Sequence, residues 1–82
     1  MDSRVALISN IVEQADSVEA LNRILHEYGA YIIGRMGLPY QKRGISIISI
    51  AVDAPADIIS ALSGKLGRLP GVSSKALYSK LN

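Results

Sequence analysis

The sequence predicts an α+β sandwich of order βαββαβ: a four-stranded antiparallel sheet with two helices on one face. Three observations carry this. Short β-branched apolar runs alternate with longer stretches whose apolar residues recur at helical spacing. Glycine and proline punctuate the junctions between them. The segments read as first and third strands are the most continuously apolar, as expected of strands flanked on both sides. Two consecutive βαβ-type units in one short chain describe the ferredoxin-like split βαβ arrangement, which puts the first and third strands at the sheet centre.

The first strand is read over Arg4 to Glu13, "RVALISNIVE", rich in β-branched residues. A helix follows over Asp16 to Gly29. Val18, Leu21, Ile24, Leu25 and Tyr28 form its apolar stripe, and Asp16 with Glu19 has the offset of a capping box. Gly29 is placed to end it in the left-handed conformation. The second strand is "AYIIGRMG", Ala30 to Gly37, interrupted at Gly34, and "LPYQKR" connects it to the third, "GISIISIAVD", Gly44 to Asp53. The second helix covers Ala54 to Gly67, with Pro55 in its first turn, where a missing N–H is harmless, and Gly67 as its stop. Gly64 weakens its last turn. "RLPG" is a turn, and "VSSKALYSK", Val72 to Lys80, is a final strand with polar alternation.

With 82 residues the chain makes one domain, 1–82, of a size that buries only a modest core. It has no cysteine, so no disulfide braces it and no thiolate serves as nucleophile or metal ligand. That absence, with no signal-peptide pattern at the N-terminus, points to a cytoplasmic protein. No apolar run approaches the roughly 20 residues of a membrane-spanning helix. Tryptophan and phenylalanine are absent, so the core is aliphatic.

Two helices cover one face of a four-stranded sheet, and the other face normally reads polar. Here Val5, Leu7 and Ile11 share one parity of the first strand, while Ala6, Ile8 and Val12 share the other. The third strand repeats this, with Ile45, Ile47 and Ala51 against Ile48, Ile50 and Val52. Both faces are apolar at the centre. A homo-oligomer, dimer or tetramer, built on the uncovered face or edge to edge is therefore expected.

Catalysis finds little support. His26 is the sole histidine, read as a surface or boundary residue, the alternative being a metal site shared between subunits. Asp53 and Asp57 read as charge at a helix N-terminus rather than as a catalytic carboxylate pair. "SGKLG" lacks the glycine and the Ser/Thr of a phosphate loop. "GRMG" and "GKLG" match only a short G-x-x-G pattern, and the central strands carry no aromatics for base stacking. No metal or other cofactor is expected.

One stretch stands apart. Between Ala30 and Val52 there is no acidic residue, yet Arg35, Lys42 and Arg43 give a local charge of +3 against −1 for the rest. In "GRMGLPYQKRG", Gly37 and Gly44 frame the connection and allow positive φ at either end. Arg35, Lys42 and Arg43 have the chemistry to converge on a carboxylate or phosphate, with Tyr40 as hydroxyl and flat wall. A solvated hairpin with ordinary basic residues is the plain alternative. Asn10, polar within an apolar central strand, is a lesser candidate for ligand contact.

The segments "HEYGAYIIGRMGLPY", "GISIISIAVDAP" and "SGKLGRLPGV" carry a resemblance to the iron-only hydrogenase system regulator family, over about Arg4 to Lys80. The resemblance implies an ACT-like domain, similar to the C-terminal domain of the nickel-responsive repressor, that oligomerises and binds small effectors between subunits. It implies a regulator of transcription or maturation, not an enzyme. The histidine-and-cysteine set of a nickel sensor is missing, so no nickel site is carried over. "EQADS" lacks the glycine that amino-acid-binding ACT domains place after the first strand. No DNA-binding ribbon accompanies the domain, so nucleic-acid contact is not expected without an additional one. The partners expected are a second copy of the chain, a small anionic effector or a partner protein. A nucleic-acid-binding oligomer using the basic loop, or a structural adaptor in a maturation complex, is the alternative.

Overall fold

The computed structural model describes residues 3–80. They form β1 (Ser3–Val12), α1 (Ser17–Glu27), β2 (Ile32–Tyr40), β3 (Ile45–Pro55), α2 (Ala56–Gly67) and β4 (Val72–Tyr78). Short 3-10 turns, Gly29–Tyr31 and Gln41–Arg43, precede and follow β2. The sheet order is β2-β3-β1-β4, all antiparallel, so the two most apolar strands are central. This is the βαββαβ sandwich read from the sequence.

Both helices pack on one face. Ala6, Ile8 and Val12 of β1, with Ile48, Ile50, Val52 and Ala54 of β3, meet Leu21 and Leu25 of α1 and Ile59, Leu62 and Leu66 of α2. Strand parity explains the set: every second residue of each central strand points at the helices. The buried apolar side chains of the core are all aliphatic, in keeping with a sequence without phenylalanine or tryptophan. Arg4 and Lys65 cover aromatic rings at its margins, with the Arg4 guanidinium 4.6 Å from the Tyr78 ring centre and the Lys65 ammonium 5.1 Å from that of Tyr28.

Several boundaries differ from the sequence reading, each for a local reason. β2 starts after a 3-10 turn that takes up Ala30 and Tyr31, and it runs on through Leu38, Pro39 and Tyr40. Proline is tolerated there because β2 is an edge strand, where part of the backbone faces no neighbour. The connection to β3 is therefore only Gln41 to Gly44, with Gly44 in the left-handed region at φ +66°. Gly37 does not adopt positive φ; it is ordinary strand. Nor does Gly29, which opens the 3-10 turn instead of capping α1. The interruption at Gly34 is real: the β2–β3 register shifts between Ile32 and Gly34, which makes Ile33 a bulge residue.

The capping box is not formed. Asp16 is itself helical, at φ −60° and ψ −25°, and its side chain caps nothing. Ser17 is buried and its hydroxyl donates to the Pro70 carbonyl at 2.5 Å, tying the start of α1 to the turn before β4. Pro55 is extended at ψ 148° and closes β3, and α2 begins one residue later. In the turn "LPGV" the Val72 N–H donates to the Leu69 carbonyl at 3.2 Å, and Gly71 has φ +71°. Proline second and a positive-φ glycine third are the signature of a type II turn.

Candidate functional site

The face away from the helices is open, and the register lays its side chains out in cross-strand rows. One row is Leu77, Leu7, Ala51 and Gly34. Two residues toward the β2–β3 turn comes Lys75, Ser9, Ser49 and Met36. Two further on lies Ser73, Ile11, Ile47 and Leu38. Val5 with Asp53 closes the face at one end, and Ile45 with Tyr40 at the other. Val5, Leu7, Ile11, Met36, Leu38, Ile47 and Leu77 are all exposed, Leu77 to 71% and Met36 to 69%.

The relief follows from side-chain size. Ala51 and Gly34 leave two hollows, of about 260 and 250 Å³, that meet at Leu7 and Ala51. Leu77 and Val5 wall the first; Met36 and Ser49 wall the second. The row of Ile11, Ile47 and Leu38 stands beside them as a ridge. Asp53 and Lys75 are the charges that the paired strands place on this face.

Of the residues singled out in the sequence, Arg35 lies on the helix side of β2, paired with Ile50. Its guanidinium donates to Asn22 Oδ1 of α1 at 2.9 Å. There a hollow of about 280 Å³ is lined by Asn22, Leu25, His26, Gly29, Ile32 and Arg35. His26 is exposed at its rim, as a boundary histidine. Tyr40 is five residues along an extended strand from Arg35, about 17 Å away, and on the opposite face. Gly37 shares Arg35's face, opposite Ile48. Lys42 and Arg43 occupy the turn, exposed, about 20 Å or more from Arg35 along the strand. Asn10 is 1% exposed on the helix side, where its Nδ2 donates to the Ile48 carbonyl at 3.0 Å and its Oδ1 has no partner. The cations thus form two separate groups, Arg35 with α1 and Lys42 with Arg43 at the turn.

Asn22 escaped the sequence reading. Helical spacing puts it one turn before His26, on the same side of α1. Only the packing of α1 beside β2 brings both to Arg35. The hollows over Ala51 and Gly34 were equally hidden, because small residues in a strand do not show which face they occupy. Asp57 meets its expectation at a helix start, since its Oδ1 accepts from the Ile58 N–H at 3.0 Å. Among the described residues no cluster of three or more His, Cys, Asp or Glu could hold a metal. No described helix is long and apolar enough to cross a membrane.

A four-stranded sheet of this order, with two helices on one face and the other face bare, defines an ACT-like, ferredoxin-like domain. A Pseudomonas putida formyltetrahydrofolate deformylase shares this fold over 92% of the chain and 28% of its own, at 16% identity and a TM-score of 0.59. The chain belongs to the TM1266-like family, described as iron-only hydrogenase system regulators, whose model matches residues 4–76. The solved structure of the uncharacterized protein TM1266 from Thermotoga maritima is similar over 96% of this chain and all of its own, at 30% identity and a TM-score of 0.92. No curated protein matches the chain.

Proposed function

We propose that the chain is a non-catalytic regulatory module that self-associates through its open sheet face and senses a small anionic effector or a protein partner in that assembled state. One observation carries this reading: every strand places exposed large apolar side chains on the uncovered face, on both sides of the row of Ser9 and Ser49. Contiguous apolar patches of this kind on soluble monomers mark interaction sites. Four strands about 4.8 Å apart, 10, 9, 11 and 7 residues long, span about 600 Å². Two such faces together bury about 1,200 Å², the lower end for a specific interface. The small aliphatic core gives the domain reason to gain stability from a second copy.

The effector part of the reading rests on Arg35. Its hydrogen-bond partner, Asn22, is a neutral amide, and no carboxylate among the described residues neutralises it. A guanidinium held in place with donors to spare suits a carboxylate or phosphate. Lys42 and Arg43 at the turn suit an acidic protein surface.

Sedimentation velocity and light scattering test the assembly. A dimer or tetramer is expected at micromolar concentration. Ile11→Glu puts a charge in the middle of the open face, away from the helices, and is expected to give folded monomer. A wild-type chain that stays monomeric refutes the proposal.

A further inference from the structure

Resting on the self-association just proposed, we infer that two copies pack face to face about a two-fold axis running across the strands, along the row of Ser9 and Ser49. Such an axis lays each strand antiparallel on its own copy. The axis row meets its own copy, and each residue two positions from it faces the one four positions away on the same strand. Ile47 meets the partner's Ala51, Leu38 meets the partner's Gly34, Ser73 meets the partner's Leu77, and Ile11 meets the partner's Leu7. Three of these four pairings set a large side chain on a small one. The ridge of each copy fills the hollows over Ala51 and Gly34 of the other, which is how packed interiors avoid voids.

Charge selects the same axis. Asp53 lies at one end of β3, and the Lys42–Arg43 turn lies just beyond the other. The cross-strand axis brings Asp53 over the partner's Ile45, two residues from the partner's Arg43. An axis parallel to the strands also sets large side chains on small ones, Leu7 on the partner's Ala51 and Leu77 on the partner's Gly34, but it leaves Asp53 over the partner's Val5 and puts both basic turns at the same end of the pair. Lys75 meets its own copy in the chosen arrangement, but on outer strand β4, where its long stem can carry the charge to water.

The decisive experiment uses coupling between residues that cannot touch within one chain. Ile47 and Ala51 are four residues apart on β3, about 13 Å, and Asp53 is about 30 Å from Arg43. Coupling between either pair runs only through a second copy. Ala51→Leu fills the hollow and is expected to weaken self-association roughly tenfold or more, since overpacking costs this much. Adding Ile47→Ala is expected to recover most of that loss. Independently, Asp53→Arg and Arg43→Asp are each expected to weaken association, and the double variant to restore it. Dissociation constants come from sedimentation equilibrium, with circular dichroism confirming the fold of each variant. If the wild type associates but both double variants lose at least the sum of their singles, the cross-strand axis is wrong while self-association stands. If the wild type is monomeric, both fail.

Discussion

Replacing Gly71 by alanine, beside the matched control Gly44→Ala, separates two physical costs that one variant confounds. Both glycines have positive φ, +71° and +66°. Each alanine therefore carries the left-handed penalty, about 1–2 kcal/mol. The surroundings differ. A Cβ on Gly44 meets nothing within 4 Å, whereas one on Gly71 lies 2.6 Å from Gln14 Cγ and 3.0 Å from both Cβ and the backbone N of Gln14. Rotating the Gln14 side chain relieves the first contact but not the last. The Glu13 N–H also donates to the Gly71 carbonyl at 2.7 Å, so the two segments cannot part without losing a hydrogen bond. Overpacking of this kind adds about 1–3 kcal/mol. Gly71→Ala is thus expected to cost about 2–5 kcal/mol and Gly44→Ala about 1–2.

Urea unfolding at one fixed protein concentration measures both, because self-association shifts apparent stability. In a domain of this length 1 kcal/mol moves the thermal midpoint by about 4–8 °C, so the gap between the variants is readable in a melt. Adding Gln14→Ala to Gly71→Ala is expected to recover part of the loss, since the backbone N contact at 3.0 Å remains. Equal costs for Gly71→Ala and Gly44→Ala, within about 0.5 kcal/mol, would refute the steric term.

Three further outcomes are expected. Asn10→Leu leaves stability unchanged or raises it, measured by the same unfolding, because it removes a buried carbonyl oxygen with no partner; Asn10→Asp at neutral pH is strongly destabilising, because it buries a charge without a donor. Lys75→Met tightens self-association in sedimentation equilibrium by removing the one like-charge meeting that the cross-strand axis imposes. Titration with inorganic phosphate shifts the NMR signals of Asn22, His26 and Gly29 in the wild type and not in Arg35→Gln, whose fold and association are unchanged because Arg35 is exposed and lies on the helix side.

The basic stretch shows how far sequence reading reaches at the site. Its charge was legible, and so was its place between an edge strand and a central one. Convergence of Arg35, Lys42 and Arg43 requires Leu38 to Arg43 to be a loop. A loop folds back and can gather its side chains. Pro39 favours such a reading, yet an edge strand accommodates it, and β2 extends to Tyr40. Once extended, the stretch holds its ends about 20 Å apart.

The element order, the identity of the central strands and the presence of apolar residues on both sheet faces were determined by the sequence alone, because burial pattern and strand position share one cause. Which face the helices would cover was decided only by the tertiary structure. Strand parity has a period of two, and when both parities are apolar it cannot distinguish inside from outside. Helix packing made that choice: it put Asn10 inside with the larger core, left Leu7, Ile11 and Ile47 exposed, and brought Asn22 and His26 to Arg35. The hollows over Ala51 and Gly34 likewise exist only through the β2–β3 register, which sets two small residues side by side on adjacent strands.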